Sequence, residues 1–493
     1  MIKLLCHNRK NFFVVIVAGV CFAMIMFTYL YRMNPYLWFD EAGQFWIAKG
    51  LNHDSAPLSP EGNIFDVVEN NRFYNLDPGG FGVILHFWSK ISNNYIWLRT
   101  LPLLSFLLVC VCLVYYVIRK TKNQAISLLV GIVPFLYPLL YNEGLELRAY
   151  SMEALGVVVG ICCVDWIKQN LTLKRLIISS GLLCIFVTSR YSFLVVAFVI
   201  SCYVLWLIFK SGESVKRRLV YAIAYGFPLL LFVAIEYFTS FQFQTSGGSK
   251  CFYMKYLCDN PKMLLWDTGL PFMLNLFVIF FLWLNRKRSL IAKHESLLFI
   301  TLATNLIFII LSYLGLHPWT PDYKHCLSMI MLVFICNIVC FAEFCSFVSD
   351  YVNVKWFVLI LVLFMFGTNV QNIKALKRNE DSNSLVELRN MNLSSFDKIY
   401  CDRWESPCLR YQYEYGSLKD KKDSDYHKYY FQTMLKHSIY TKGNAKSEWY
   451  SRQPDLNDLL EYDMLIVPEL SRYRVGNQDK WKEYKEGIFV KND

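Results

Sequence analysis

The sequence is poor in charged residues and rich in apolar ones. Of its 493 residues, 18% are charged and 55% are hydrophobic, whereas a soluble protein carries about 25% charged residues. The apolar residues also form long runs, such as "NFFVVIVAGVCFAMIMFTYLY" at 11–31. A membrane-spanning helix needs about 20 such residues. The low charge therefore argues against a soluble protein, and the runs predict a polytopic α-helical membrane protein.

No small-residue cleavage site follows the first apolar run, which is also too long for the core of a signal peptide. We therefore expect it to be retained as a first span. The hydrophobic runs predict about eleven transmembrane helices in all. The predicted spans are 12–31, 100–118, 124–140, 150–167, 176–188, 191–209, 219–239, 270–284, 296–315, 325–346 and 356–370.

The net charge of +11 is not concentrated in one basic module, which argues against a nucleic-acid partner. With the N-terminus inside, the inner segments hold 18 Lys and Arg in 53 residues, and the outer segments hold 11 in 118. This difference of about fourfold in density follows the positive-inside rule. We expect an integral protein of a bacterial inner (plasma) membrane, with a cytoplasmic N-terminus and a periplasmic or extracellular C-terminus.

Two regions outside the spans have a recognisable character. The first outer loop, 32–99, contains "GGFGVILHFWSKI" at 79–91, which is too short to span and predicts a helix at the outer surface. Residues 371–493 are mixed and charged. Strand-like runs at 396–402, 463–470 and 486–492 predict a small α/β domain on the outer face. The predicted domains are thus a transmembrane domain at 1–370 and a soluble domain at 371–493.

Closely spaced Cys and His ligands of a zinc site are missing. Of the sixteen cysteines, eleven lie within or at the edges of predicted spans, where Cys behaves as a small apolar residue. In the outer segments, Cys251 and Cys258 form one pair, and Cys401 and Cys408 form another, each separated by six residues. Two local disulfides fit this spacing better than a metal site, but whether they form stays open.

Charged side chains gather at the outer ends of several predicted spans. Such charges are costly near hydrocarbon without a role, although each has a simpler explanation. An aspartate suits the first turn of a helix, and an arginine can snorkel to the headgroups. Together they predict a polar cavity open to the outside. Its candidate residues are Asp40, Glu41, Asp77, Glu143, Glu146, Arg148, Glu153, Arg190, Tyr191, His317, Asp322, Lys324 and His325.

Four stretches lead from these residues to a family. They are "WFDEA" (38–42), "DPGGFGVILHFW" (77–88), "WLRTLPLLS" (97–105) and "ELRAYSMEAL" (146–155). In their order and in its predicted topology, the chain resembles the GT-C superfamily of polytopic glycosyltransferases. Within it, the chain is similar to the protein mannosyltransferase and lipid A aminoarabinose transferase group (glycosyltransferase family 39-like). The motifs cover about 120 residues, and the remaining spans agree in architecture only.

The resemblance implies an inverting glycosyltransferase that takes a sugar from a polyprenyl-phosphate-linked donor. Because nucleotide sugars are normally cytosolic, an outward-facing transferase needs a donor held in the membrane. Asp40 is the predicted general base. Glu41 is predicted to orient the acceptor or to share a proton with Asp40. The acceptor is a lipid, a glycan or a protein.

Cations are predicted to stabilise the leaving phosphate. The candidates are Arg148, Arg190 and Lys324, and Arg148 is the strongest because it stands in a matching motif. No cofactor is required by this scheme, and a divalent metal is left as an alternative. Besides the donor and acceptor, the expected partners are membrane lipids. The predicted substrate-binding residues are Asp77, His86, Glu143, Glu146, Arg148, Tyr150, Arg190, Tyr191 and Lys324.

Three other classes of protein remain open. A transporter or flippase also carries charges inside its spans, although the internal repeats common in transporters do not stand out here. A polymerase or ligase of lipid-linked glycans would share the compartment, but we would expect a large central outer loop. A scaffold with an extracellular binding tail is the third alternative.

Overall fold

The computed structural model describes residues 36–52, 58–75, 77–121, 144–244, 288–317, 324–348, 399–401, 406–416, 463–466, 481–485 and 488–491, with isolated residues within 19–26 and 126–140. This part of the chain is mostly helical. The helices are α1 (Phe39–Ala48), α2 (Ile64–Tyr74), α3 (Gly80–Ser89), α4 (Tyr95–Thr121), α5 (Tyr150–Gln169), α6 (Leu173–Val187), α7 (Tyr191–Lys210), α8 (Val215–Glu236), α9 (Arg288–Tyr313), α10 (Leu327–Val348) and α11 (Ser406–Glu414).

Five helices in the described part of the chain are long and apolar enough to cross a membrane. They are Tyr95–Thr121, Tyr150–Gln169, Tyr191–Lys210, Val215–Phe241 and Lys293–Tyr313. Each lies at a predicted span, which agrees with a polytopic helical membrane protein. The helices α6 and α10 occupy two further predicted spans but are not among the five. The predicted spans 12–31, 124–140, 270–284 and 356–370 fall largely or wholly outside the described residues.

The chain divides into two compact units. Unit 1 comprises Met1–Tyr31, Pro102–Phe238 and Ser249–Asn372, and unit 2 comprises Arg32–Leu101, Thr239–Gly248 and Ile373–Asp493. The predicted domain boundary at 370/371 lies outside the described residues and stays a prediction.

Unit 1 is built around α5, which packs against α6, α7 and α10. Of the residues in its apolar window, 78% are buried. Small residues let the neighbouring helices approach closely. A Cβ at Gly156 would lie 2.8 Å from the Cβ of Phe186, and one at Gly160 would lie 2.6 Å from the Cδ1 of Ile200. The apolar sequence of α5 thus makes it an interior helix of this unit.

Unit 2 contains a four-stranded sheet in the order β1-β2-β4-β3. The strands are β1 (Ile399–Cys401), β2 (Met464–Ile466), β3 (Trp481–Lys485) and β4 (Ile488–Lys491). β1 and β2 are parallel, and the other pairs are antiparallel. Three of these strands lie within the predicted strand runs. The sequence prediction missed β3, whose "WKEYK" carries three charged residues out of five.

Three short helices of unit 2 pack on one another, namely α1, α2 and α3. The apolar run at 79–91 forms the helix α3, which has ten residues; its predicted position at the outer surface stays a prediction. α1 ends at Ala48, and Gly50, two residues later, has a left-handed φ of 69°. The backbone N–H of Leu51 donates to the carbonyl oxygen of Trp46 at 2.9 Å and so caps the helix. A Cβ at Gly50 would lie 2.6 Å from the Cα of Gly62. Glycine at this position therefore permits both the helix end and the return of the chain.

Candidate functional site

The carboxyl pair of Asp40 and Glu41 lies in the first turn of α1, where the helix dipole favours negative charge. The two side chains have different surroundings. Glu41 is 1% exposed, whereas Asp40 is partly exposed. The backbone N–H of Trp38 donates to Oε2 of Glu41 at 3.4 Å, across the start of the helix. Two carboxyls that are adjacent in sequence therefore occupy different environments.

Arg99 holds Glu41 through two hydrogen bonds. Its Nε donates to Oε1 at 3.0 Å, and its Nη2 donates to Oε2 at 2.6 Å. The same Nη2 donates to the carbonyl oxygen of Tyr36 at 2.8 Å. Bidentate pairs of this kind are strong and directional, so one guanidinium fixes the entry to α1 and the carboxylate in its first turn.

Sequence reasoning missed Arg99 as a site residue, although it stands in the stretch "WLRTLPLLS". Glu41 and Arg99 are separated by 58 positions, so no local spacing joins them. The pairing gives Glu41 a compensating positive charge in a buried position. Glu41 is thus placed to orient α1, and Asp40 is the carboxyl of the pair with access to solvent.

Asp77 and His86 lie in the segment that packs on α1. Both are buried, and Nδ2 of Asn71 donates to the carbonyl oxygen of Asp77 at 2.9 Å. Nδ1 of His86 lies 2.7 Å from the carbonyl oxygen of Ala48. Because a carbonyl only accepts, this Nδ1 carries a proton and donates. His86 satisfies one of the carbonyls that the end of α1 leaves open, and it joins α3 to α1.

A buried lysine follows α1 directly. Lys49 is 1% exposed and donates to Oε1 of Glu61 at 2.6 Å, while Lys90 donates to Oε2 of Glu61 at 2.8 Å. Burial lowers the pKa of Lys49, although its hydrogen bond with Glu61 acts in the opposite direction. Partial burial acts to raise the pKa of Glu61, but the hydrogen bonds from the two lysines outweigh it and lower the pKa. This network joins the ends of α1 and α3 to the loop between α1 and α2.

Unit 1 contains an ion pair between Glu153 of α5 and Arg190 at the start of α7. Nε of Arg190 lies 3.0 Å from Oε2 of Glu153, with side chains 3% and 0% exposed. Ser192 Oγ donates to Oε1 of Glu153 at 2.5 Å, and the backbone N–H of Ser328 donates to the same oxygen at 3.0 Å. The carboxylate therefore connects α5, α7 and α10.

Aromatic and imidazole groups extend this cluster. The guanidinium carbon of Arg190 lies 4.2 Å from the ring centroid of Tyr150, and its Nη2 lies 3.4 Å from Nδ1 of His325. Nε2 of His317 lies 2.7 Å from the carbonyl oxygen of His325. Burial lowers the pKa of His317 to about 4. His317 is therefore neutral near pH 7 and donates its Nε2 proton.

Glu146 and Arg148 lie in the turn that precedes α5. The backbone N–H of Arg148 donates to the carbonyl oxygen of Glu146 at 2.7 Å. Both side chains are partly exposed, as is Tyr191 at the start of α7. Arg148 and Arg190, predicted for the same task, therefore differ in burial.

Three predicted residues cannot be placed in the same way. Glu143 and Asp322 lie outside the described residues, and only the backbone of Lys324 is described, in a 3₁₀ turn at Lys324–Cys326. Within the described ranges, no group of three or more His, Cys, Asp or Glu side chains is arranged to hold a metal ion.

The predicted site residues belong to both units. Asp40, Glu41, Asp77 and His86 are in unit 2, and Glu146, Arg148, Tyr150, Arg190 and Tyr191 are in unit 1. In each unit, the predicted site residues include a member of a buried carboxylate–arginine pair, Glu41–Arg99 in unit 2 and Glu153–Arg190 in unit 1. No protein-family model matches the sequence, and no curated protein matches it either.

Proposed function

We propose that the protein is a GT-C-type glycosyltransferase that moves a sugar from a polyprenyl-phosphate donor to an acceptor on the outer side of the membrane. The observation that carries the proposal is Asp40, a partly exposed carboxyl beside the buried Glu41–Arg99 pair. The proposal extends to eleven spans in a bacterial inner membrane, with a cytoplasmic N-terminus and a small outer α/β domain in 371–493.

Asp40 is the general base in this scheme. Its carboxylate takes the proton of an acceptor hydroxyl or amine as that atom forms a bond to the anomeric carbon of the donor sugar. The bond from the anomeric carbon to the phosphate oxygen breaks, and its electron pair leaves with the polyprenyl phosphate. Attack from the face opposite the phosphate inverts the anomeric configuration. No step of this scheme uses a metal ion.

Arg148 is the group that stabilises charge on the leaving phosphate. A preset cation lowers the energy of the transition state where negative charge develops. Arg190 is the weaker candidate, because its charge is already compensated by Glu153 in a buried ion pair. We assign Arg190 a positioning role with Tyr150, and we keep Lys324 as a second cation for the phosphate.

The remaining predicted residues support these groups. Arg99 holds the Glu41 carboxylate and so fixes the first turn of α1, which orients Asp40. His86 joins α3 to the end of α1. Asp77, Glu143, Glu146 and Tyr191 stay as proposed substrate-binding residues. The acceptor is a membrane lipid, a cell-surface glycan or a protein.

A transfer assay tests the proposal. Purified protein in lipid nanodiscs is incubated with a panel of radiolabelled polyprenyl-phosphate hexoses and pentoses, and with a cell-envelope extract as acceptor. We expect one donor to lose its label to an extract component and to release polyprenyl phosphate. Asp40→Asn should lower this rate by about 10²- to 10⁴-fold, the usual contribution of a general base.

Glu69→Gln is the matched control, since Glu69 is an exposed carboxyl in α2 of the same unit. It should retain the wild-type rate. Transfer by Asp40→Asn at the wild-type rate would remove Asp40 from the mechanism. Failure of every donor in the panel would contradict the proposed activity itself.

A transporter or flippase is the second candidate, and the buried Glu153–Arg190 pair favours it. Charges inside spans often mark the path of a substrate, and this pair is 0% and 3% exposed between helices. Proteoliposomes distinguish the two functions. Movement of a polyprenyl-phosphate sugar between leaflets, with no sugar transferred, would support transport.

A further inference from the structure

Helix α11 belongs to the interior of unit 2. Residues 407–414 are all buried, although the segment contains an arginine, a glutamine, a glutamate and two tyrosines. Arg410 is 0% exposed. Polar side chains are buried at this level only when they are hydrogen-bonded or paired, so the contacts of α11 show what it holds.

The first group of contacts joins α11 to α1. The indole N–H of Trp46 donates to the carbonyl oxygen of Pro407 at 3.0 Å. The guanidinium carbon of Arg410 lies 3.8 Å from the ring centroid of Trp46, a cation–π contact that gains strength when desolvated. Phe45 packs edge-on against Tyr411, with ring centroids 5.2 Å apart. α11 therefore fixes two consecutive aromatic residues of the helix that carries Asp40.

Arg410 also ties α11 to the chain that follows α1. Its Nε donates to Oε1 of Glu414 at 2.8 Å, and its Nη1 donates to the carbonyl oxygen of Asn52 at 3.3 Å. Oε1 of Glu414 accepts from the backbone N–H of Leu58 at 2.9 Å. The buried Arg410–Glu414 pair thus holds the loop after α1 at Asn52 and at Leu58.

Tyr411 also joins α11 to the residues just before α4. Tyr411 Oη donates to the carbonyl oxygen of Asn93 at 2.8 Å, two residues before α4 begins at Tyr95. Burial raises the pKa of Tyr411, while the charges of Arg99 and Glu41 act on it in opposite directions. The hydroxyl of Tyr411 thus joins α11 to the segment between α3 and α4.

We propose that α11 is the positioning element for the carboxyl pair, so that residues 406–416 set the orientation of Asp40 in the transfer reaction. This inference rests on the proposed function. A general base works only within a narrow range of distance and angle, and a shift of about 1 Å can cost about 100-fold in rate. α11 supplies that precision through Trp46, through the loop after α1, and through the start of α4.

The test compares two arginines that each pair with a glutamate four positions away. Arg410–Glu414 is buried, with side chains 1% and 4% exposed, and Arg217–Glu213 is on the surface, with side chains 61% and 32% exposed. Full-length Arg410→Met and Arg217→Met are purified in nanodiscs. Hydrogen–deuterium exchange of amides 39–48 is measured, together with kcat and KM for the donor that the panel identifies.

We expect Arg410→Met to raise exchange in α1 at least tenfold and to lower kcat at least tenfold, with KM within twofold of wild type. Arg217→Met should change neither quantity. Tyr411→Phe and Trp46→Phe, which each remove one hydrogen bond, should give smaller changes in the same direction. If Arg410→Met does not fold, exchange in α1 and kcat of these two variants provide the test.

Unchanged exchange in α1 for all three variants would overturn the inference. So would raised exchange with unchanged kcat, because α1 would then not need α11 for transfer. If no donor is turned over by wild-type protein while exchange still rises in the variants, the proposed function fails and the coupling of α11 to α1 stands.

Discussion

The two units each contain a buried carboxylate–arginine pair, and the pairs differ in what lies beside them. Glu153 and Arg190 are surrounded by serines, Tyr150 and histidine, and join three helices of unit 1. Glu41 and Arg99 are next to Asp40, a carboxyl with access to solvent. The first arrangement suits a structural role, in which the pair holds three helices together. The second suits the support of a reactive group. Four predictions test this distinction.

The largest effect is expected from Glu153→Gln. Removing one member of a buried pair leaves the other charge uncompensated, which costs about 3–5 kcal/mol of unfolding free energy. The measurement is the unfolding free energy of the purified protein in mild detergent.

Glu295→Gln is the control, because Glu295 is 57% exposed and pairs with Lys168 at 3.4 Å; it should change stability by less than about 0.5 kcal/mol. The double variant Glu153→Gln/Arg190→Gln should recover part of the loss. Equal loss in Glu153→Gln and Glu295→Gln would contradict a fastening role for the buried pair.

Arg99→Met should lower kcat as well as stability, because it leaves the buried Glu41 carboxylate without its cation. Loss of both hydrogen bonds to Glu41 frees the first turn of α1, and we expect kcat to fall by about 10- to 100-fold. Transfer kinetics with the donor found by the panel provide the measurement. Arg99→Lys, which keeps the charge but not the bidentate geometry, should recover only part of the rate. A pure loss of folded protein, with normal kcat in the remaining fraction, would assign Arg99 to stability alone.

His317 makes the stability of unit 1 depend on pH. Its pKa is lowered from 6.5 to about 4 in the folded protein, so the unfolded state binds more protons between these values. Stability is then fully present above pH 6.5 and falls as the pH drops towards 4, with a cost of about 2 kcal/mol at pH 5. His317→Gln should have a flatter dependence on pH between 7.5 and 5. Parallel curves for the two proteins would refute this origin of the acid sensitivity.

The smallest effect is expected at the start of α4. Trp88 and Trp97 stack with centroids 4.6 Å apart, and each indole N–H donates to the other's carbonyl oxygen at 2.9 Å. Trp97→Phe keeps the stacking but loses one hydrogen bond, which costs about 1 kcal/mol. Thermal unfolding should show a small decrease, while Trp206→Phe on α7 should show less. A larger loss in Trp206→Phe would count against the reciprocal pair.

Long apolar elements were predictable, because their signal lies in one contiguous stretch. The predicted span at 150–167 is Tyr150–Gln169, and the short run at 79–91 is the helix Gly80–Ser89. α2 and α11 were missed, since their sequences "IFDVVENNRFY" and "SPCLRYQYE" mix polar and apolar residues. Tertiary burial, which no local pattern reveals, stabilises α11.

The sequence singled out the carboxyl pair, but it could not show that the two side chains differ in burial and in partners. Adjacent residues in the first turn of a helix look alike until their partners are known, and the partner of Glu41 is 58 positions away. Arg148 and Arg190 were predicted for the same task. They differ because Arg190 pairs with Glu153 of α5, which lies 37 positions earlier in the sequence.

The hydrogen bond from Trp46 to Pro407 has a consequence for biosynthesis. The two residues are 361 positions apart, and a ribosome that adds about 5–20 residues per second needs roughly 20 to 70 s to cover that distance. During this interval the aromatic face of α1 has no α11 to cover it. Newly made chains are therefore expected to need a holdase, or the membrane surface itself, until translation has passed residue 414.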